Sequence, residues 1–239
     1  MEVFYTPKKN IGRDGLTIIG EEARHIGVVL KHKRGDRISV TDGEGFEYPV
    51  IIDNITKNTV YCKILSKVRK PRESLVHIAL AQGVIKGQRM DILVEKATEL
   101  GVFEIIPLIT ERSVARLKGK ERLDRLKRVA LSAMKTSTRS LLPKIYEPME
   151  FEDALKLSER YDISLLAWEG EKKNRLQDII KENPKKVMLF IGPEGGFTEE
   201  EVERAKKRVE VFSLGPRRLR SETAGIAAVS LLLYQLGEM

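Results

Sequence analysis

Residues 191–198 form a glycine-rich segment, Ile-Gly-Pro-Glu-Gly-Gly-Phe-Thr, whose composition suits a ligand that contacts the backbone. The segment follows an apolar run, residues 187–191, that is typical of a buried parallel strand. Thr198 and Glu201 are spaced as a capping box, which predicts that a helix begins after the glycines. The glutamates at 199–201 would repel a phosphate, so the segment favours a neutral or cationic ligand. An ordinary strand-to-helix turn explains the glycines alone equally well.

A second strand-to-helix passage, residues 214–225, is rich in arginine. Arg217, Arg218 and Arg220 can bind phosphate or stabilise an anionic base. Glu222 falls in the first turn of the following helix, where its charge suits the helix dipole. Exposed arginines and a capping glutamate would show the same pattern, but three arginines beside a Gly-Pro loop favour the functional interpretation. The glycine-rich segment lacks the residue order of a P-loop or a dinucleotide site, which argues against a dinucleotide-dependent oxidoreductase.

Both segments belong to the second of two predicted domains. Residues 72–239 alternate buried strands with helices, which predicts a mostly parallel α/β sheet covered on both faces. The strands are expected at 75–81, 103–109, 163–168, 187–191 and 211–214, and the helices at 88–100, 121–136, 151–159, 174–181 and from 221 onward.

The first predicted domain, residues 1–68, contains short β-branched and aromatic strands and one helix at 21–30. This pattern predicts a small β-barrel, a fold that often binds RNA. Asp-Gly-Glu-Gly at 42–45 predicts a hairpin turn. The polar, basic segment 66–73 contains Pro71 and predicts an interdomain linker.

A net charge of +8 and a pI of about 9.4 favour a polyanionic partner, although a generic basic surface gives the same values. Arg24, His25, Lys31 and Arg34 cluster in the small domain as candidate nucleic-acid contacts. A second candidate is a helical stripe with three- and four-residue spacing, which forms one basic face if the helix extends to its last member. Its members are Arg125, Arg128, Ser132, Lys135 and Arg139.

One cysteine and three scattered histidines predict neither a disulfide framework nor a metal site. No apolar run reaches the roughly 18 residues of a membrane span, and the N-terminus lacks a signal-peptide pattern. The chain is therefore expected to be a soluble cytoplasmic protein without a membrane partner. Its last helix, apolar nearly all round, is expected to be buried beneath the ligand loops or in a subunit interface.

The glycine-rich segment together with Leu-Arg-Ser-Glu-Thr-Ala at 219–224 resembles the RsmE family, the uridine N3-methyltransferases of small-subunit ribosomal RNA in the SPOUT superfamily. Lys-Ala-Thr-Glu-Leu-Gly-Val at 96–102 supports the resemblance, which spans nearly the whole chain. It implies a PUA-like, RNA-binding β-barrel at 1–68 and a SPOUT methyltransferase domain at 72–239, whose parallel sheet carries a C-terminal trefoil knot. It also implies S-adenosyl-L-methionine as cofactor, 16S ribosomal RNA of the small subunit as substrate, and a homodimer.

The resemblance and the local chemistry together assign expected roles to individual residues. Arg220 and then Arg139 are the candidates to stabilise a uridylate anion, and Glu222 or Glu194 to accept its proton. RNA contacts are expected from Arg24, His25, Lys31, Arg34, Arg128 and Arg217. Cofactor contacts are expected from Leu166, Ala167, Trp168, Glu169, Ile191, Gly192, Pro193, Gly195, Gly196, Leu214, Gly215, Leu219, Thr223 and Ala224.

The chain departs from the family pattern after the long helix, where Glu-Gln-Ser-x-Arg is replaced by Lys-Thr-Ser-Thr-Arg at 135–139. Arg139 is retained, but Lys135 and Thr136 stand where the family has Glu and Gln. Two alternatives stay open from sequence. One is a non-catalytic RNA-binding or ribosome-assembly protein, and the other is a related SPOUT methyltransferase that acts on transfer RNA.

Overall fold

The structure, a computed structural model, describes residues 3–115, 117 and 119–239. The chain forms two compact units. Unit 1 comprises Met1–Glu73 and Leu131–Leu142, and unit 2 comprises Ser74–Ala130 and Pro143–Met239.

Unit 1 is built on one sheet with the strand order β1-β3-β4-β5-β2. The pair β1–β3 is parallel, and the other pairs are antiparallel. Alternating side chains such as Ile18, Val40 and Val50 are fully buried inside it. The hairpin predicted at 42–45 is confirmed, since it joins antiparallel β3 and β4. The strands are β1 (Val3–Tyr5), β2 (Gly15–Ile19), β3 (Arg37–Thr41), β4 (Phe46–Ile55), β5 (Thr59–Ile64) and β6 (Val68–Arg69).

The helix predicted at 21–30 is present but changes its winding. Helix α1 (Glu21–Arg24) continues as a wider π turn at His25–Val29. Ala23 and Ile26 are buried in the hydrophobic core of unit 1, and Gly27 approaches Ile55 closely. Burial of one face therefore anchors the segment despite the change of winding.

The predicted linker at 66–73 is instead an ordered part of unit 1. Strand β6, which was not predicted, pairs with β4. The Arg72 side chain bonds the Glu47 carboxylate, and Glu73 is buried in unit 1. The polar composition that indicated a linker reflects these ion pairs, and the boundary between the units follows Glu73.

Unit 2 is an α/β layer structure whose sheet has the order β10-β8-β7-β12-β11-β13, with β9 beside β8. All of its strand pairs are parallel, as predicted. The central strands are buried on both faces, which explains their continuous apolar sequence. The strands are β7 (His77–Gly83), β8 (Glu104–Ile109), β9 (Lys144–Ile145), β10 (Met149–Glu150), β11 (Ile163–Ala167), β12 (Lys186–Ile191) and β13 (Glu210–Phe212).

The remaining helices agree with the predictions except for α5. The helix expected at 174–181 forms only over Leu176–Ile179. Before it, the Asn174 side-chain amide donates to the Val211 carbonyl, and after it Ile180 has an extended backbone. The short strands β9 and β10 were not predicted. The helices are α2 (Gln88–Glu99), α3 (Lys120–Thr136), α4 (Phe151–Leu157), α5 (Leu176–Ile179), α6 (Glu199–Ala205) and α7 (Ser221–Gln235). Within the described part of the chain, no helix has the length and apolar character to cross a membrane.

Candidate active site

The carboxyl ends of four parallel strands lie side by side in unit 2. Gln82 of β7 pairs in register with Ile191 of β12, Ile191 with Ala167 of β11, and Ala167 with Phe212 of β13. The loops that leave these strands therefore meet at one edge, which is where ligands bind in parallel α/β sheets.

These loops enclose a cavity of about 360 Å³, within the roughly 300–1,000 Å³ typical of small-molecule sites. The walls combine backbone, aliphatic and charged groups from the two motif segments and from the end of β11. The lining residues are Arg89, Ala167, Trp168, Glu169, Ile191, Gly192, Pro193, Glu194, Gly196, Phe197, Leu214, Gly215, Arg217, Arg218, Leu219, Arg220, Ser221 and Ala224.

Gln82 joins the two motif segments beneath the cavity. Its fully buried Nε2 donates to Ser221 Oγ at 2.7 Å and to the Gly192 carbonyl at 3.3 Å. Ser221 Oγ donates to the same carbonyl at 2.5 Å. The glycine-rich segment and the start of α7 are thus held in one arrangement.

Two positions in this region require glycine for different reasons. A Cβ on Gly83 would lie 2.3 Å from the backbone nitrogen of Pro193, so only glycine fits. Gly196 has a φ of +68°, in the region that glycine adopts without strain. Gly83 therefore lets β7 pack against the glycine-rich segment, and Gly196 allows the turn into α6.

The predicted capping box is confirmed. The Glu201 amide donates to Thr198 Oγ1, and Glu201 Oε2 accepts from the Thr198 amide. Oε1 of the same carboxylate accepts from the Glu111 amide at 2.9 Å. Arg112 donates to the Gly195 carbonyl at 3.0 Å. The acidic helix start that argued against a phosphate ligand also fixes the end of the glycine-rich segment.

Most residues predicted to contact the cofactor line this cavity. Leu166, Gly195 and Thr223 do not. Leu166 is fully buried in the apolar core, Gly195 lies against Arg112, and Thr223 is exposed on α7. The apolar pattern of β11 indicates that Leu166 belongs to the core. Only the residues after it, Ala167, Trp168 and Glu169, line the cavity.

Arg220 and Arg217, predicted for the base and for phosphate, both line the cavity and are exposed. Glu222 does not line it; the side chain is buried, and its Oε2 has no hydrogen-bond partner among the described residues. Glu194 lines the cavity and accepts from Arg89 at 2.8 Å and from the Lys86 amide at 3.1 Å. Of the two candidate proton acceptors, Glu194 is therefore the one that the cavity includes.

Arg139 lies in unit 1 and is not among the residues that line the cavity. Its guanidinium is 3% exposed and donates from Nε and Nη2 to Glu73 Oε2, at 3.1 and 2.8 Å. The other Glu73 oxygen accepts from the amides of Ser140 and Leu141. The structure therefore gives Arg139 a structural partner, and its catalytic role stays a prediction.

The condition for the candidate basic stripe on α3, a helix that extends to Arg139, is not met. The helix ends at Thr136, and Thr138 takes a φ of +56°, which turns Arg139 into the buried pair. Arg125 is bonded to Asp91 at 2.5 Å and Lys135 to Glu22 at 2.7 Å, so two further members are neutralised. Arg128 remains exposed on the helix, with its Nε near the Asp124 carbonyl.

The other predicted RNA contacts lie around α1 and the turn that follows it in unit 1. Arg24 and Lys31 are exposed, and His25 is half-buried. Arg34 is exposed and 3.3 Å from Asp53. A role in RNA binding stays a prediction for all of them.

Arg89 is a cavity residue that the sequence argument missed. It lies at the start of α2, just after the carboxyl end of β7. Ligands bind at the carboxyl ends of parallel strands, and this applies to β7 as it does to β12 and β13. The strand pattern therefore contained the signal for Arg89.

The opposite edge of the sheet carries a polar cluster of a different kind. Glu104 accepts from the hydroxyls of Tyr146 and Tyr161 at 3.1 and 2.8 Å, and His77 Nε2 lies 3.2 Å from it. The hydrogen bond with His77 is the largest cause that lowers the pKa of Glu104 to about 2, and the tyrosine hydroxyls add to it. Burial and the same carboxylate raise the pKa of Tyr161. The members of this cluster satisfy one another.

No three His, Cys, Asp or Glu side chains converge as a metal site within the described ranges. The cavity is lined by backbone, by aliphatic side chains and by charges of both signs, so it can receive a small molecule with polar and apolar parts. Ile191 and Leu219 exclude water. Glu169 and Glu194 supply negative charge, and each lies beside an arginine, Glu194 at 2.8 Å from Arg89 and Glu169 at 3.5 Å from Arg218.

Comparison with protein families gives two matches. A model described as an RNA methyltransferase domain matches residues 72–233, and one described as an RNA methyltransferase PUA domain matches residues 18–65. Unit 1 is thus PUA-like and unit 2 carries the parallel sheet.

Two curated relatives match nine tenths or more of this chain. Ribosomal RNA small subunit methyltransferase E of Bacillus subtilis (strain 168) is 33% identical over 92% of this chain and 90% of its own. The protein of the same name from Aquifex aeolicus (strain VF5) is 30% identical over 98% and 99%.

Two solved methyltransferase structures with bound cofactor are similar to this chain over nearly its whole length. A ribosomal RNA small subunit methyltransferase E from Neisseria gonorrhoeae bound to S-adenosyl methionine has a TM-score of 0.87 and 29% identity, covering 98% of this chain and 97% of that one. A methyltransferase structure from Legionella pneumophila with bound cofactor SAM has a TM-score of 0.86 and 30% identity, covering 97% and 96%.

Proposed function

Because the chain belongs to the family of ribosomal RNA small subunit methyltransferase E proteins, we propose that it methylates N3 of a specific uridine in the decoding region of 16S ribosomal RNA. The coarser activity follows from membership: the chain is an S-adenosylmethionine-dependent ribosomal RNA methyltransferase. The observation that carries the finer proposal is the joint cavity of the two motif segments, which places exposed arginine beside a cofactor-sized space.

S-adenosylmethionine, when bound, supplies an electrophilic methyl group on a cationic sulfur. The backbone of residues 191–196 and 214–219 would hold its adenosine, and Ile191 and Leu219 would keep water from the reacting atoms. Glu169 and Glu194 lie at the same cavity and would offset part of the positive charge of its arginines near a sulfonium. Holding acceptor and donor in line is itself a large part of the rate enhancement.

Uracil N3 becomes a nucleophile only after it loses a proton, which leaves negative charge on the base. We assign Arg220, exposed at the cavity and directly before α7, to stabilise that charge. Arg217, two residues after Gly215, would bind an adjacent phosphate. Glu194 is the acceptor candidate that the cavity includes, whereas Glu222 would need a path from its buried position.

The decisive experiment maps the methylated nucleotide. Small-subunit RNA from cells with and without this protein should differ at one uridine, which purified protein and S-adenosylmethionine should methylate in RNA from the deficient cells. Methyl incorporation into transfer RNA instead would favour the second alternative. Calorimetry that finds no S-adenosylmethionine binding would favour a non-catalytic RNA-binding protein.

We also propose that two copies associate through α7. Although the helix is buried on one side, Leu231 is 48% and Tyr234 73% exposed, and Ile92 on the contacting helix α2 is 45% exposed. This apolar face is what a stable monomer rarely leaves in water. Sedimentation should find a dimer that Leu231→Asp dissociates; a wild-type monomer at micromolar concentration would contradict the proposal.

The family resemblance further supports a trefoil knot in unit 2, a cytoplasmic location, and a division of labour between an RNA-binding barrel at 1–68 and a methyltransferase domain at 72–239. The knot has a direct test. When the unfolded chain is stretched from its two ends, a knotted chain should fall short of its full contour length, and an unknotted chain should reach it.

A further inference from the structure

Three consecutive aliphatic side chains lie exposed where the helical segment of unit 1 ends. Val28 is 56%, Val29 62% and Leu30 39% exposed, whereas Ile26 in the same turn is fully buried. Isolated exposed apolar residues are common, but a contiguous row of three is not. We refer to Val28, Val29 and Leu30 as the aliphatic tip.

The backbone that presents the aliphatic tip is unusual. Residues His25–Val29 form a π turn, closed by a 2.9 Å bond from the Leu30 amide to the His25 carbonyl. Lys31 follows with a φ of +56°, a conformation that disfavours residues other than glycine. Single π turns and such conformations concentrate at functional sites. The fold therefore holds these side chains outward at some cost in stability.

The surroundings of the aliphatic tip are basic. Residues 24–37 contain five Lys or Arg and one acidic residue, Asp36. Asp36 already accepts from the Lys33 amide at 2.9 Å and lies 3.0 Å from His32 Nδ1. Arg24, Lys31 and Lys33 are exposed on either side of the tip in sequence. An apolar surface flanked by cations complements a polyanion that can also offer apolar faces, and RNA does both.

We propose that the aliphatic tip is a wedge that packs against an unstacked base of the RNA substrate while the flanking cations contact its phosphates. The inference rests on the proposed function for the identity of the RNA. It also answers a need of that function: N3 lies on the pairing edge of uracil, so the reaction requires RNA that is locally opened. Apolar wedges beside phosphate-binding cations are a general means of opening stacked bases.

The test compares Val28→Ser/Val29→Ser with wild type, since serine removes apolar contact without adding charge. Affinity for a 16S RNA transcript is measured by filter binding from about 50 to 200 mM salt. Unstacking is measured with an RNA hairpin that carries a bulged uridine beside 2-aminopurine, whose fluorescence rises on unstacking. We expect about tenfold weaker binding, an unchanged salt slope and a smaller fluorescence increase.

Two control variants separate the contributions. Leu65→Ser/Val68→Ser removes apolar groups of similar exposure (48% and 43%) elsewhere in unit 1 and should bind as wild type does. Lys31→Gln/Lys33→Gln should weaken binding and lower the salt slope by about two, because phosphate contacts are lost.

Unchanged affinity and fluorescence in the serine variant would overturn the proposal. It would equally be overturned if that variant dissociated in sedimentation, since the tip would then bind a second copy of the chain. Methyl transfer by the wild-type protein is measured separately. Failure of that reaction, with the binding differences intact, would count against the proposed function and leave the wedge supported.

Discussion

The segment after α3 and the segment before α7 each carry an arginine, but the two side chains have opposite surroundings. Arg139 is 3% exposed and its guanidinium bonds Glu73, itself 1% exposed. Arg220 is exposed at a cavity formed by the two motif segments. An arginine whose donors face a buried carboxylate stabilises the fold, whereas one at a cavity can respond to a ligand. The contrast predicts different failures for the two substitutions.

The largest effect is expected at Arg220. Arg220→Ala should lower methyl transfer by about a thousandfold, because a donor aimed at developing negative charge is lost, while S-adenosylmethionine still binds. Single-turnover transfer and calorimetry measure the two quantities. Arg217→Ala is the control, and it should mainly weaken RNA binding. Near wild-type transfer by Arg220→Ala would show that Arg220 does not stabilise charge in the reaction, and the two arginines would then no longer differ in catalytic role.

Arg139→Met should act on stability instead. It leaves Glu73 buried without its cation, at a cost of about 3 kcal/mol in the free energy of unfolding. Adding Glu73→Gln should recover part of that loss, because the amide oxygen can still accept from Ser140 and Leu141. Urea unfolding measures both variants. Normal stability with lost transfer would instead assign Arg139 to the chemistry.

The helices and strands could be predicted from sequence far better than the residues with which their side chains interact. Apolar runs and capping signals located the parallel strands and the start of α6, because these patterns are local. Arg139 looked like Arg220 in sequence, since its partner Glu73 is 66 residues away. The same reason explains why 66–73 resembled a linker. Gln82 was missed because its role depends on Gly192 and Ser221, which only folding brings to it.

The cavity itself was predicted in part. The glycine-rich and arginine-rich segments were paired correctly because each follows a parallel strand, and parallel strands end at a common edge. Arg89 follows another strand of that sheet, but the segment before it has only the separate glycines Gly83 and Gly87 and no glycine pair or arginine cluster. Leu166 was assigned one residue too early, since it precedes the last residue of β11, Ala167, and its side chain is still buried in the core.

Glu104 is a carboxylate whose side-chain partners, His77, Tyr146 and Tyr161, all lie in unit 2. Like Arg139, it is expected to stabilise the fold through a charge that other side chains satisfy. Its pKa of about 2 lies below the unfolded value, so its contribution to stability is present above roughly pH 4.5 and is lost as pH falls toward 2. Glu104→Gln should therefore cost about 2 kcal/mol at neutral pH and almost nothing near pH 2. Urea titrations across this range test it. A difference that stays constant with pH would show that the charge is not the cause.

The smallest effect is expected on α3, where Arg125 and Arg128 are one turn apart. The pair tests whether an arginine that is bonded to a carboxylate is unavailable to RNA. Arg125 is held by Asp91, whereas among the described residues Arg128 donates only to a carbonyl of its own helix. Arg128→Gln should weaken 16S RNA binding two- to threefold and lower the salt slope by about one, because one phosphate contact is lost. Arg125→Gln should leave both quantities unchanged, since its charge is already neutralised. Filter binding at several salt concentrations measures the pair. Equal losses from the two variants would mean that an ion pair on this surface does not withdraw an arginine from RNA, and the contrast would then hold only for buried partners such as Glu73.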